Sequence, residues 1–267
     1  MKKFVPFLNR PPRVAVVRLS GIINGAGSGT SGLSDETLAP LLERAFAKHK
    51  PVAVALSINS PGGSPVQSSL IGARIRRLAE EKDIPVFAFV EDVAASGGYW
   101  LAAAADEIWV DPSSVVGSIG VISSSFGAHE FIARHGVERR VHTAGTSKSM
   151  LDPFRPEKED DVARLNVILE DIHTAFIDHV KARRGAKLDL DQDLFNGNVW
   201  LGQRAIAVGL ADGIGHLVPK MKERFGPKVK FQKYGPKKGL LRRFGVQAVE
   251  GALHGIEERA QFARFGL

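Results

Sequence analysis

Cysteine is absent from the 267 residues, which excludes disulfides, a thiolate nucleophile and Cys-ligated zinc. Long apolar runs are missing too. The chain starts MKKFVPFLNRPPRVAVV, with Lys2 and Lys3 in the manner of a signal n-region. Pro6, Asn9, Arg10, Pro11 and Pro12 then break the run that follows, leaving it too short for a signal h-region. No other segment offers the roughly 18 uncharged apolar residues that a membrane-spanning helix requires. The expectation is a cytoplasmic chain without a signal peptide or transmembrane segment, attached at most peripherally at the inner face of a membrane.

Several familiar chemistries leave no trace. There is no Walker A sequence, no H-E-x-x-H and no G-x-S-x-G. The eight histidines are scattered, and His129 and His135 lack the spacing of a zinc helix, so each reads as surface or core. Gly27, Gly29 and Gly32 fit G-x-G-x-x-G ahead of a helix. A dinucleotide fingerprint, however, puts its first glycine directly after the strand and an acidic residue at the end of the second strand. Here Ser20 to Ala26 intervene and the second strand ends in Ser57-Ile-Asn-Ser60, so the glycines read as a surface loop. Neither a cofactor nor a metal is expected.

What is present is ordinary for a globular chain: 44% hydrophobic and 24% charged residues. Lys and Arg number 36 against 29 Asp and Glu, so the net charge is 36 − 29 = +7. Much of the excess lies toward the C-terminus, at Lys220, Lys222, Lys228, Lys230, Lys233, Lys237, Lys238, Arg242 and Arg243. Such a stretch suits a solvated face or contact with anionic lipid; no nucleic-acid partner is expected.

Hydrophobic patterning gives alternating strands and helices. Strands are predicted at Val14–Leu19, Val52–Ile58, Pro85–Val90, Ile108–Val110, Gly117–Ile122 and Val137–His142. Helices are predicted at Asp35–Lys48 with Ser34 as cap, Ser64–Lys82, Gly97–Ala105, Gly127–His135, Glu157–Arg184 and Gln203–Val208. Strands alternating with helices imply crossover units and a mainly parallel sheet. The division expected is a tail at 1–13, a catalytic body at 14–218, a basic linker at 219–239 and an amphipathic helical segment at 240–267.

Two segments carry the chemistry. Asn59-Ser-Pro-Gly-Gly63 and Ala94-Ala-Ser96-Gly-Gly98-Tyr99 both lie just beyond the C-terminal ends of predicted parallel strands, where open α/β sheets bind ligands. Ser96 begins a predicted helix, so its N–H and that of Gly97 are expected to be unpaired helix-start donors near a developing oxyanion. On local pattern alone, the favoured reading is that Ser96 caps a helix beside tightly packed glycines.

Taken in order, Asn59-Ser-Pro-Gly-Gly-Ser64, Ala94-Ala-Ser-Gly-Gly-Tyr99, Ala105-Asp106, Gly117-Ser-Ile-Gly-Val121 and Gly145-Thr-Ser-Lys-Ser149 resemble the S49 family of serine peptidases, the signal peptide peptidase A group. The similarity runs from about Val14 to Val218. It implies an α/β, crotonase/Clp-protease-like fold of repeated ββα units. It also implies Ser96 as nucleophile, Lys148 as general base, Ser118 as hydrogen-bond partner of that lysine and Gly63 as an oxyanion donor, with Gly97 as a second donor by geometry. A lysine serves as a base only when neutral, which desolvation favours; Met150 and Leu151 are apolar neighbours suited to that. The family's members form rings that share Ser and Lys between units, so a homo-oligomer acting on apolar, signal-peptide-like or unfolded peptides is expected. Two other functions compete: a crotonase-type acyl-CoA enzyme, which needs Gly63 but not Ser96 and Lys148, and a catalytically idle scaffold at a membrane surface.

Overall fold

The computed structural model describes residues 11–24, 32–235 and 259–267. Its elements in chain order are β1 (Arg13–Ser20), α1 (Asp35–Ala47), β2 (Ala53–Ser60), α2 (Pro65–Lys82), β3 (Val86–Ala95), α3 (Gly97–Ala103), β4 (Glu107–Val110), β5 (Val115–Gly117), α4 (His129–Arg134), α5 (Glu159–Arg184), β6 (Val199–Leu201), α6 (Gly202–Ala207), β7 (Gly213–Ile214), α7 (Leu217–Phe225) and β8 (Lys230–Tyr234). The strands form one sheet with the path β6-β5-β3-β2-β1-β8; β4 pairs with β3 and β7. All pairings are parallel except β5 with β6.

Strand alternation builds two cores. Ala15, Val17, Leu19, Val54, Leu56, Ile58, Ala88 and Val90 face a layer of helices that supplies Leu42, Phe46, Ile71, Ile75, Tyr99 and Leu101. Val14, Val16, Ala53, Ala55, Phe87 and Phe89 face the other way, onto Met221 of α7 and Val229. β2 is buried along nearly its whole length, as a central parallel strand must be. Local chemistry sets the helix starts. Ser34 accepts the Thr37 N–H, and Thr37 reaches back to the Ser34 N–H, closing a capping box on α1. Ser64 caps α2, and Pro65 occupies its first turn, where no N–H is required.

β3 is longer than its neighbours, and its far edge is shared: residues 87–89 pair with β4 and residues 93–95 with β5. That fork brings the end of β3 beside Gly117. Two expectations fail here. The stretch 219–239, expected as a linker, contains part of α7 and the edge strand β8, whose residues 230–234 pair with β1. Val137–His142, expected as a strand, pairs with nothing among the described residues. A β-rich sequence becomes a strand only where another strand offers its edge. Leu241, Phe244, Ala248, Ala252 and Ile256, the expected apolar face of the C-terminal helix, lie outside the described residues, as do Lys237 and Lys238.

A buried ion pair locks the far end of the helical layer. The Arg184 guanidinium, with its side chain 1% exposed, meets Asp212 at 2.7 Å, and Asp212 also accepts from Lys187 and the Ile108 N–H. Burial pushes the Asp212 carboxyl up, but the bonds from Arg184, Lys187 and Ile108 outweigh it, so the group titrates below its ordinary value. A depressed carboxylate contributes stability in full above its unfolded value of about 3.9 and loses it as pH falls through the folded value. Asp212→Ala is expected to cost about 3–5 kcal/mol near pH 7, because it strands a buried guanidinium. Thermal unfolding of the two proteins from pH 7 to pH 3 checks this; the gap should narrow below about pH 4.

Candidate active site

Ser96 stands at the sharp turn between β3 and α3, with φ 51° and ψ −123°. A non-glycine residue held there costs about 1–3 kcal/mol and persists only where its surroundings enforce it. The enforcement is visible. The Ser96 N–H donates to Gly117 O at 2.8 Å, and Ser96 O accepts from Tyr99 and Trp100 at 2.9 and 3.1 Å. A strained strand-to-helix turn of this kind pushes a serine hydroxyl out past the end of a sheet. Because its N–H is committed to Gly117, Ser96 is not the free donor expected from its sequence position. Gly97, the first residue of α3, keeps that role.

The second donor comes from the Pro61–Gly63 turn. Ile23 donates to Gly62 O at 2.8 Å, and Ser64 donates to Ile23 O at 2.7 Å. Gly63 is thereby gripped on both sides while its own N–H takes no part. Its φ is +142°, and a Cβ would lie 2.0 Å from Ile23 O, so only glycine fits. A Cβ on Gly97 would lie 3.4 Å from Gly63 N, so the two glycines are adjacent. Beneath them, buried Ser60 donates to Gly21 O at 2.7 Å and accepts from the Gly62 N–H at 3.3 Å.

Gly63, Ser96 and Ser118 line one cleft of about 700 Å³. Ser118 also has a positive φ of 50°, and its N–H is anchored on Asn198 O at 2.7 Å. A recess of about 110 Å³ opens beside Ser96 and is walled by Pro65, Trp100, Val121, Ile122, Ile172 and Phe176. It is apolar and sized for one aliphatic side chain. The cleft is also lined by Gln261, Arg264 and Phe265. Residues 259–263 are helical, and Phe262 and Phe265 pack on Val93, Ala95 and Val115.

The chain does not bring Lys148 to Ser96. Lys148 is exposed and lines neither hollow around the serine. It sits on an arm, residues 121–158, whose only helix is α4, pinned by Ala128 N–H to Pro153 O at 2.6 Å and by Arg139 to Asp152 at 3.1 Å. Met150 and Leu151 are half-exposed and do not dry the lysine. Sequence reading also passed over His173 and His179. Both bond to backbone carbonyls next to the site, at Ile119 O and Trp100 O. Burial holds the His179 imidazole below its ordinary range, more than the bond to Trp100 O raises it.

Residues 79–223 match the family model described as peptidase family S49. The whole chain aligns over 287 residues, at 48% identity, with a Brucella melitensis protein named Na(+)/H(+) antiporter NhaA, covering 39% of that protein. It is 34% identical over 233 residues to the probable protease SohB of Haemophilus influenzae, covering 86% of this chain and 63% of that one. The chain therefore spans less than two thirds of the length of either relative. Its fold resembles that of a solved structure of 1510-N membrane-bound stomatin-specific protease in complex with a substrate peptide, with a TM-score of 0.53 at 12% identity, over 86% of this chain and 94% of that one.

The packing around Gly97 yields a test. A Cβ there would meet Ser68 Oγ at 2.3 Å, a removable atom, with the Ile23 side chain next at 3.1 Å. Gly97→Ala should destabilise by about 1–3 kcal/mol, and adding Ser68→Ala should recover most of the loss. Gly98→Ala meets Ser60 O, a backbone atom, at 2.3 Å, so no such partner change should rescue it. Denaturant unfolding of the single and double variants measures the contrast.

Proposed function

Because the chain belongs to peptidase family S49, we propose that it is a serine endopeptidase cleaving apolar or unfolded peptides through an acyl-enzyme. Ser96 is the nucleophile and Lys148 of a second copy is the general base. The observation that carries this reading is the strained Ser96 turn, with the unused N–H groups of Gly63 and Gly97 beside it on the wall of one recess.

The steps follow from that geometry. The neutral lysine Nζ takes the Ser96 proton as Oγ attacks the peptide carbonyl carbon. The Gly63 and Gly97 N–H groups receive the oxyanion, which costs no reorganisation because the turn already aims them. The intermediate collapses, the lysine hands its proton to the leaving amine, and an ester remains on Ser96. Water then repeats the sequence and frees the acid. Ser118, on the cleft wall, orients the lysine. The recess walled by Trp100 and Phe176 takes an apolar side chain of the substrate, which suits signal-peptide-like segments.

A second copy is invoked because Lys148 is exposed and its arm is rich in uncovered apolar groups. Phe126 is 91% exposed, and Ile122, Phe131 and Val137 are each more than half exposed. A neighbouring subunit would bury them and exclude water from around the lysine. No helix among the described residues is long and apolar enough to cross a membrane. Phe262 and Phe265 face the body, which favours a packed tail over one inserted in lipid.

A fluorophosphonate probe separates this reading from both rivals: an acyl-CoA enzyme or an idle scaffold gives no Ser96-dependent labelling. Ser96→Ala should lose labelling and cleavage of a leucine-rich peptide while keeping its melting temperature. The rate should climb with pH as the lysine loses its proton, without a histidine limb near pH ~6.5. Mixing Ser96→Ala with Lys148→Ala protein should restore part of the activity. A mixture that exchanges subunits yet stays inactive would mean that each subunit holds its own dyad.

A further inference from the structure

Resting on that reading of the site, we infer that His173 and His179 are positioning residues, through which α5 sets the distance between the nucleophile turn and the Ser118 wall of the cleft. Neither touches a reacting atom. Each holds a backbone carbonyl of a segment that borders the site, at Ile119 and at Trp100.

The two histidines are six residues apart on a helix, about 9 Å along its axis and on its inner side together with Phe176, Val180 and Arg183. Phe176 and Val180 are buried in the main core, which fixes the rotation of α5. His173 Nε2 lies 3.1 Å from Ile119 O, and His179 Nε2 lies 3.0 Å from Trp100 O. A carbonyl oxygen only accepts, so each imidazole carries its proton on Nε2 and donates.

What the two carbonyls belong to gives the contacts their meaning. Trp100 donates its N–H to Ser96 O, so a pull on Trp100 is a pull on the strained turn. Its indole is also stacked on His179, centroids 4.6 Å apart at 11°, and on Phe176 at 5.0 Å and 25°. The same indole walls the recess beside Ser96. Ile119 follows Ser118, and its carbonyl additionally accepts from the Gly197 N–H at 3.1 Å. α3 has only seven residues, so its last carbonyls run short of helical donors; α5 supplies them from outside, with Arg183 reaching Ala103 O and, just beyond the helix, Ala105 O. One helix thus grips both the segment after Ser118 and the helix that follows Ser96. Without the two imidazole donors the walls keep their hydrophobic packing but lose their fixed separation. A misplacement of about 1 Å at a reacting centre costs on the order of a hundredfold in rate.

Four variants of the full chain test this, read by fluorophosphonate labelling of Ser96, kcat and KM on the peptide, and melting temperature. His173→Leu and His179→Phe remove the donor, and the phenyl ring preserves the stack on Trp100. His173→Gln and His179→Gln retain an N–H at similar reach. The expected result is a ten- to hundredfold loss of kcat and labelling rate in the Leu and Phe variants, with KM within about threefold and folding retained. The Gln variants should recover most of it. Folded Leu and Phe variants with full kcat would overturn the inference. So would Gln variants as slow as the others, since a retained donor would then not restore the site. Absence of Ser96-dependent labelling in the unaltered protein strikes instead at the reading of the site.

Discussion

The hydrogen bond from the Ser96 N–H to Gly117 O holds the rest of the site in place. It ties the end of β3 to β5 at the point where β3 has outrun β4, and it keeps Ser96 at a positive φ that the residue would not adopt alone. The bond also commits one N–H of the turn, while those of Gly63 and Gly97 lie side by side on the wall of the recess next to Ser96. Burial on both sides of the sheet makes the arrangement rigid. Strain of a few kcal/mol survives because the strands beneath it cannot move without opening a close-packed core.

The architecture divides labour between a stiff floor and an unfinished arm. The floor carries Ser96, Gly63, Gly97 and Ser118 on segments held by backbone bonds such as Ser96 N–H to Gly117 O and Ser118 N–H to Asn198 O. The arm carries Lys148 and exposes large apolar side chains, Phe126 foremost. A residue meant to act as a neutral base gains nothing from full solvation, and phenylalanines gain nothing from water. In the proposed function one covering subunit would answer both, which is why the catalytic proposal and the oligomeric proposal stand together.

The histidines illustrate how position outweighs type. On a list of residues His173 and His179 look like fillers, since they lack metal-ligand spacing. In the fold they become donors to two carbonyls, one on α3 and one on the residue after Ser118. The only sequence trace of this was their common helical face with Phe176 and Val180, which any buried helix shows. The edge strand β8 was similarly hidden: a short, lysine-rich stretch between glycine and proline reads as a linker until the exposed edge of β1 gives it a partner.

The sequence by itself determined the alternation of strands and helices, the capping of α1 and α2, the position of Ser96 at a strand end and the glycine-rich turns around it. These follow from residue chemistry over a few neighbouring positions: side-chain periodicity, a hydroxyl at a helix start, a backbone that tolerates positive φ. Tertiary structure alone decided which N–H groups remain free, that Val137–His142 finds no strand to pair with, and that Lys148 stands away from Ser96 on its own chain. Those outcomes depend on partners far apart in sequence or absent from the chain, and a hydrogen bond or a buried surface exists only when both sides arrive.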